Sequence, residues 1–163
     1  MTESAGGIRM ADFIKAPMRL AGERSICYRH ILGLPASEHE LANWQSQHPS
    51  HPLPKDLQEL VLRVNGIHLW ANTATGRSYT GIAPIQEWEH ARQKMYELGN
   101  RDLLDGRYIA ISYHQDGAAF VVLDVELEAY FLMDAAGPDA TLRVGKNVPE
   151  LLDWLWQNRI EPS

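Results

Sequence analysis

The chain has 163 residues and a mass of 18.4 kDa, the size of one ordinary domain and too short for two full-sized ones. At 45% hydrophobic and 22% charged residues it has a globular composition, which excludes a disordered, collagen-like or coiled-coil chain. Fifteen Lys+Arg stand against twenty-one Asp+Glu, and the net charge of −6 argues against nucleic acid as a partner, because phosphate contacts need cations.

Cys27 is the only cysteine, so an intramolecular disulfide and a cysteine zinc cluster are both impossible. The charge is unevenly spread. Residues 1–100 hold ten acids and ten bases, whereas residues 101–163 hold eleven acids and five bases, so the whole excess lies in the last part of the chain. Met1 to Met10 is small and polar, without the apolar run of a signal peptide. The longest apolar run, Ala118 to Leu123, is six residues, far below the ~20 that cross a bilayer. The expectation is a cytoplasmic protein with no membrane contact.

In chain order, Ile8 to Ala16 reads as a short helix stopped by Pro17, and Met18 to Leu34 as an ambiguous, partly helical stretch. Ser37 followed by Glu40 has the spacing of a capping box and predicts a helix from Glu38 to about Gln47. The proline-rich run His48 to Pro54 reads as a rigid connector between helices. Pro54 then opens a helix in which Leu57, Leu60, Val61 and Val64 form one apolar stripe, closed by Asn65-Gly66. Ile67 to Ala71 reads as a strand, Tyr79 to Ile85 as extended, and Gln86 to Leu98 as a helix closed by Gly99.

Arg107 to Tyr113 is rich in β-branched and aromatic residues. His114-Gln115-Asp116-Gly117 is a turn signal, and Ala118 to Val125 is a second strand, which together predict a β-hairpin. Ala129 to Met133 extends it to a meander. Asn147, with Glu150 three residues on, caps a last helix striped by Val148, Leu151, Leu152 and Leu155, with Trp154 and Trp156 widening its apolar surface. The fold class is α+β: an antiparallel sheet built on a central hairpin or meander, with helices at N-terminal, middle and C-terminal positions packed on one face.

Catalytic signatures are sparse. No phosphate loop, dinucleotide fingerprint or nucleophile elbow is present. His48 and His51, with His39 upstream, have the look of a ligand pair but lack the remaining ligands of a structural zinc site, and read as loop histidines. Cys27 and His30 could be a thiol and its base, but a lone cysteine reads first as a small buried hydrophobe. Asp116 before Gly117 is turn chemistry. Asp124, Glu126 and Glu128 alternate along an extended segment and read as a solvated strand end rather than paired catalytic carboxylates or calcium ligands. Of the five tryptophans, Trp154 and Trp156 read as core and Trp70, beside a polar loop, as a surface anchor. No cofactor and no metal is expected.

The run Leu53 to Ile67, LPKDLQELVLRVNGI, resembles the signature helix of the SUKH superfamily, which groups bacterial immunity proteins with a fungal regulator of cell-wall glucan synthesis (the Smi/Knr type). GIAPIQEW (Gly81 to Trp88) is similar to that family's strand into a central helix. YIAISYHQDGAAFVVLDV (Tyr108 to Val125) is similar to its central hairpin, and VPELLDWLW (Val148 to Trp156) to its closing helix. The resemblance covers roughly residues 35–157. It divides the chain into an N-terminal extension, 1–34, partly helical and packed on the domain, and a SUKH-like unit, 35–163.

The resemblance implies a non-catalytic, cofactor-free domain that binds and neutralises a cognate polymorphic toxin of nuclease or deaminase type. A nuclease cleft is basic, so an acidic patch could occupy it. The candidate contacts are Asp116, Asp124, Glu126, Glu128, Asp134 and Asp139, with Trp70, Tyr79 and Tyr113 as aromatic anchors. For the acids, a solubilising surface is the competing reading. The alternatives in function are a regulatory or adaptor domain that binds a cellular protein, and a small hydrolase using Cys27 or a histidine pair. Exposed edge strands allow a monomer or a homodimer.

Overall fold

The computed structural model describes residues 19–21, 26–50, 52–72, 74–75, 78, 80–97, 107–114, 119–134 and 142–158. These form an α+β fold. Eight strands make one antiparallel sheet in simple chain order: β1 (Arg19–Ala21), β2 (Ile26–Leu32), β3 (Ile67–Asn72), β4 (Thr80–Ile82), β5 (Tyr108–His114), β6 (Ala119–Asp124), β7 (Ala129–Asp134) and β8 (Leu142–Gly145). Four α-helices accompany them: α1 (Glu38–Gln47), α2 (Lys55–Arg63), α3 (Trp88–Glu97, entered through a 3₁₀ turn at Ile85–Glu87) and α4 (Val148–Gln157).

Local chemistry sets most helix ends. The Ser37 hydroxyl accepts from the Glu40 amide at 3.0 Å, and the Glu40 carboxylate accepts from the Ser37 amide at 2.7 Å, closing the expected capping box. That amide, with the Ser37 hydroxyl and Gln86 beside it, holds the Glu40 carboxyl below its ordinary range. Helix α2 starts after Pro54 and buries Leu57, Leu60 and Val61, each contributing about 2 kcal/mol of transfer free energy. It ends where Gly66 turns at φ 108°, a conformation that a Cβ would strain.

At α4 the Asn147 side chain accepts from the Glu150 amide at 2.9 Å, as expected. The return bond differs: the Glu150 carboxylate takes the Lys146 amide, one residue before the cap. The Val148 amide, in the first turn, is taken by Asp56 at 2.8 Å. The aspartate of the Leu53-Pro54-x-Asp56-Leu57 run is thus a cap for a helix 92 residues away. Asp56→Ala is expected to cost about 1 kcal/mol in urea unfolding, whereas Asp56→Asn, which keeps an acceptor, loses less than half of that.

Two expectations are corrected and one strand is added. Met18–Leu34 was expected to be partly helical, but Ile26–Leu32 is a strand paired with both β1 and β3. Tertiary pairing decides here, since β2 lies between two neighbours. The short strand β8 pairs with β7 and had no counterpart in the sequence reading. The helices do not share one face. Val121 and Leu123 of β6 pack with Leu57, Leu60, Leu151 and Leu155 in the main core under α1, α2 and α4. Phe120 and Val122, alternating with them, pack on the other face with Ala91 and Met95 of α3. All of β6 is therefore buried. The helix expected over Ile8 to Ala16 lies outside the described residues.

β4 joins the two halves of the sheet by a single residue pair on its β5 side, Thr80 with His114. His114, expected in the hairpin turn, is the last residue of β5 and pairs with Ala119.

Candidate functional site

Glu126 and Glu128 lie exposed in the turn that joins β6 to β7, with Leu127 between them 59% exposed. Asp124 does not belong to that surface. It is 1% exposed, and its neighbours explain why. Its Oδ2 accepts from Arg107 Nε at 3.0 Å and lies 2.8 Å from Nη2. Its Oδ1 accepts from the Glu126 and Leu127 amides at 3.0 and 3.1 Å. The carboxylate thus satisfies two backbone donors of the turn and one guanidinium fork.

Burial alone would raise the Asp124 pKa. The Arg107 hydrogen bonds and charge, together with the two amides, outweigh it and hold the carboxyl below its usual range. Arg107 also reaches Glu126, with Nη1 3.4 Å from Oε2. The Val125 amide donates to the Arg107 carbonyl, tying the turn to the start of β5. Glu128 closes the turn at φ 49°, a left-handed conformation that non-glycine residues adopt at a cost of about 1–2 kcal/mol. The result is a rigid base carrying a short acidic tip with an apolar side chain at its centre.

Trp70, expected as a surface anchor, is 6% exposed. It sits in β3 at φ 55°, with its ring edge-on to His30 at 4.7 Å and tilted against Trp156 at 5.5 Å. His30 Nδ1 accepts the Trp70 amide at 3.2 Å, a role that requires this nitrogen to be unprotonated. That nitrogen is therefore occupied, which weakens His30 as a base for Cys27, whose side chain lies outside the described set. The backbones of Tyr113 and Asp134 lie in β5 and β7, but their side chains are outside the described set. Tyr79, Asp116 and Asp139 are wholly outside it.

His48 stacks on Trp44 at 4.2 Å, and its Nδ1 lies 2.9 Å from the Trp44 carbonyl. Its Nε2 lies 3.6 Å from Glu89. Burial pushes the Glu89 carboxyl up, but Arg92 and His48 together bring it below the ordinary value. This arrangement joins the end of α1 to the start of α3. Among the described residues no group of three His, Cys, Asp or Glu side chains is placed to hold a metal ion, and His51 lies outside them.

The sequence reading missed the role of Arg107. The signal was present: an arginine at the open end of the hairpin, one residue before the partner of Asp124, is within diagonal reach of that carboxylate across the strands. No helix among the described residues is long and apolar enough to cross a membrane. A scan against protein-family models finds no match for the chain, and a search of curated proteins finds none either.

Proposed function

We propose that the chain is a non-catalytic, SUKH-type protein-binding domain, an immunity protein that binds a toxin with a basic active-site cleft and blocks it. The observation that carries this reading is the β6–β7 turn. Its two exposed carboxylates and Leu127 stand on a backbone fixed by Asp124 and Arg107, so little backbone ordering remains to be lost on binding. Carboxylates on such a tip would steer a basic partner and strengthen once water is excluded, while Leu127 adds apolar contact.

Support also comes from the order of the motifs quoted above and from the concentration of negative charge after residue 100. The proposed site of action is the cytoplasm, where the chain would meet an incoming nuclease or deaminase toxin. The test is co-expression with the product of the neighbouring gene, read by pull-down and growth rescue. The double variant Glu126→Lys with Glu128→Lys is expected to weaken binding at least about 100-fold, since both long-range attraction and close contacts reverse sign. Unchanged rescue by a folded double variant would remove the tip from the interface. Failure of the native chain to bind or rescue would remove the immunity reading itself.

A further inference from the structure

Among the described residues the sheet ends at β8. One edge of this strand pairs with β7, and among the described residues nothing pairs with the other. Helix α4 begins after a two-residue connection and lies close against β8. At Gly145 an added Cβ would stand 2.7 Å from the Leu151 amide, so the strand and helix backbones meet there. Beside it lies an open groove of about 400 Å³, lined by Arg143, Val144 and Gly145 on one side and Glu150, Asp153 and Trp154 on the other. Arg143 pairs with Phe131, which packs on the second core, so its side chain is set to the face of the sheet away from α4.

The groove has a definite chemistry. Glu150 is matched within the chain: Lys146 Nζ is 3.6 Å from its Oε1, and the Lys146 amide donates to its Oε2 at 2.9 Å. Asp153 is not matched. Among the described residues it receives only the Gln157 amide, at 3.3 and 3.4 Å, and no cation. Leu142, the first residue of β8, is 53% exposed. It pairs with Leu132, which packs on the main core, so it stands on the α4 side of the sheet. An edge of backbone donors and acceptors and an unmatched carboxylate therefore lie together in the groove, with the exposed Leu142 one residue beyond it along β8.

We propose that β8 and α4 form a docking groove for an extended segment of a partner protein, added to the sheet as a ninth strand. The segment carries a lysine or arginine toward Asp153 and an apolar side chain toward Leu142 and Trp154. Main-chain hydrogen bonds along β8 supply affinity, and the side chains on the α4 side supply selectivity. The strand register places this groove at the side of the sheet next to the acidic turn, since Gly145 pairs with Tyr130, two residues beyond Glu128. The inference rests on the reading that this protein works by binding another protein.

The test uses the full chain and two ten-residue extended peptides with threonine at every second position; the positions between alternate lysine with valine in one and glutamate with valine in the other, so that charged and apolar side chains face α4 together. The lysine peptide is expected to bind at least about tenfold more tightly, to slow amide exchange at Leu142–Gly145, and to lose that preference against Asp153→Lys. Equal binding of both peptides, a preference that survives Asp153→Lys, or unaltered exchange at Leu142–Gly145 would overturn the groove. Protection of the same amides by self-association, without peptide, would overturn it in favour of a second copy of the chain. No toxin enters this measurement. Failed growth rescue therefore removes the immunity reading and leaves the groove standing, and failed peptide binding does the reverse.

Discussion

Asp124→Ala is expected to lower the unfolding free energy by about 3 kcal/mol. The magnitude follows from what the carboxylate does. It is buried, it accepts from two amides of the β6–β7 turn, and it pairs with Arg107. Neutral hydrogen bonds contribute about 1 kcal/mol each and charge-assisted ones about 2. Part of the Arg107 contribution is recovered, because that side chain is 40% exposed and can be hydrated once its partner is gone.

Asp124→Asn separates charge from turn chemistry. The amide oxygen can still accept from Glu126 and Leu127, so the turn is kept and the ion pair is lost. Its expected cost is about half that of the alanine variant. The pH dependence has a fixed sign. The Asp124 carboxyl is held below its unfolded value, so its contribution is complete above about pH 4, the unfolded range. It is lost as pH falls through the lower, folded value. Urea unfolding followed from pH 7 down to pH 2 should show a shallower acid decline for Asp124→Asn than for the native chain. Parallel acid limbs would show that Asp124 carries no linkage.

Gly81→Ala is expected to be the most damaging single methyl addition, costing about 3–5 kcal/mol. Gly81 lies in β4 opposite His68, and a Cβ there would overlap the Ile67 carbonyl of β3. The residue cannot retreat the other way, because the Ser112 hydroxyl of β5 donates to its carbonyl. Strand β4 is only three residues long and meets β5 at one residue pair. Displacing it from β3 therefore threatens the join between the two halves of the sheet. A fall in Tm of about 10 °C or more is expected, given about 2–4 °C per kcal/mol for a domain of this size. A fall of under about 3 °C would mean that β3 and β4 separate without cost at this position.

The helices were legible where local chemistry decides them. Ser37 with Glu40 and Asn147 with Glu150 each carry a cap, and Pro54 stands before an apolar stripe, all within a dozen residues. The hairpin was legible because β5 and β6 are adjacent in the chain and strongly β-forming. Strand β2 was not, since Arg29 and His30 interrupt its apolar pattern and its partner β3 begins 35 residues after it ends. Strand β8 is four residues long, too short for any period to register.

The two-sided burial of the sheet was readable in principle. Ala118 to Leu123 is an uninterrupted apolar run, which is how a strand covered on both faces is written. Asp124 shows the opposite difficulty. Its spacing with Glu126 and Glu128 suggests one solvated face, yet it turns inward because the chain bends immediately after it and its amides need an acceptor. Trp70 looked exposed from its polar sequence neighbours, and only the packing of His30 and Trp156 around it buries the ring.

The meander also orders events in time. Each strand pairs with the one made just before it, so the sheet can lengthen strand by strand as the chain leaves the ribosome, with its longest waits between β2 and β3 and between β4 and β5. The bond from Asp56 to Val148 is different, because it must wait for the arrival of α4. Until then Leu57 and Leu60 lack Leu151 and Leu155 above them. The nascent protein therefore carries a growing sheet whose α2 leucines stay uncovered until late in synthesis, and α4 is the element that covers them.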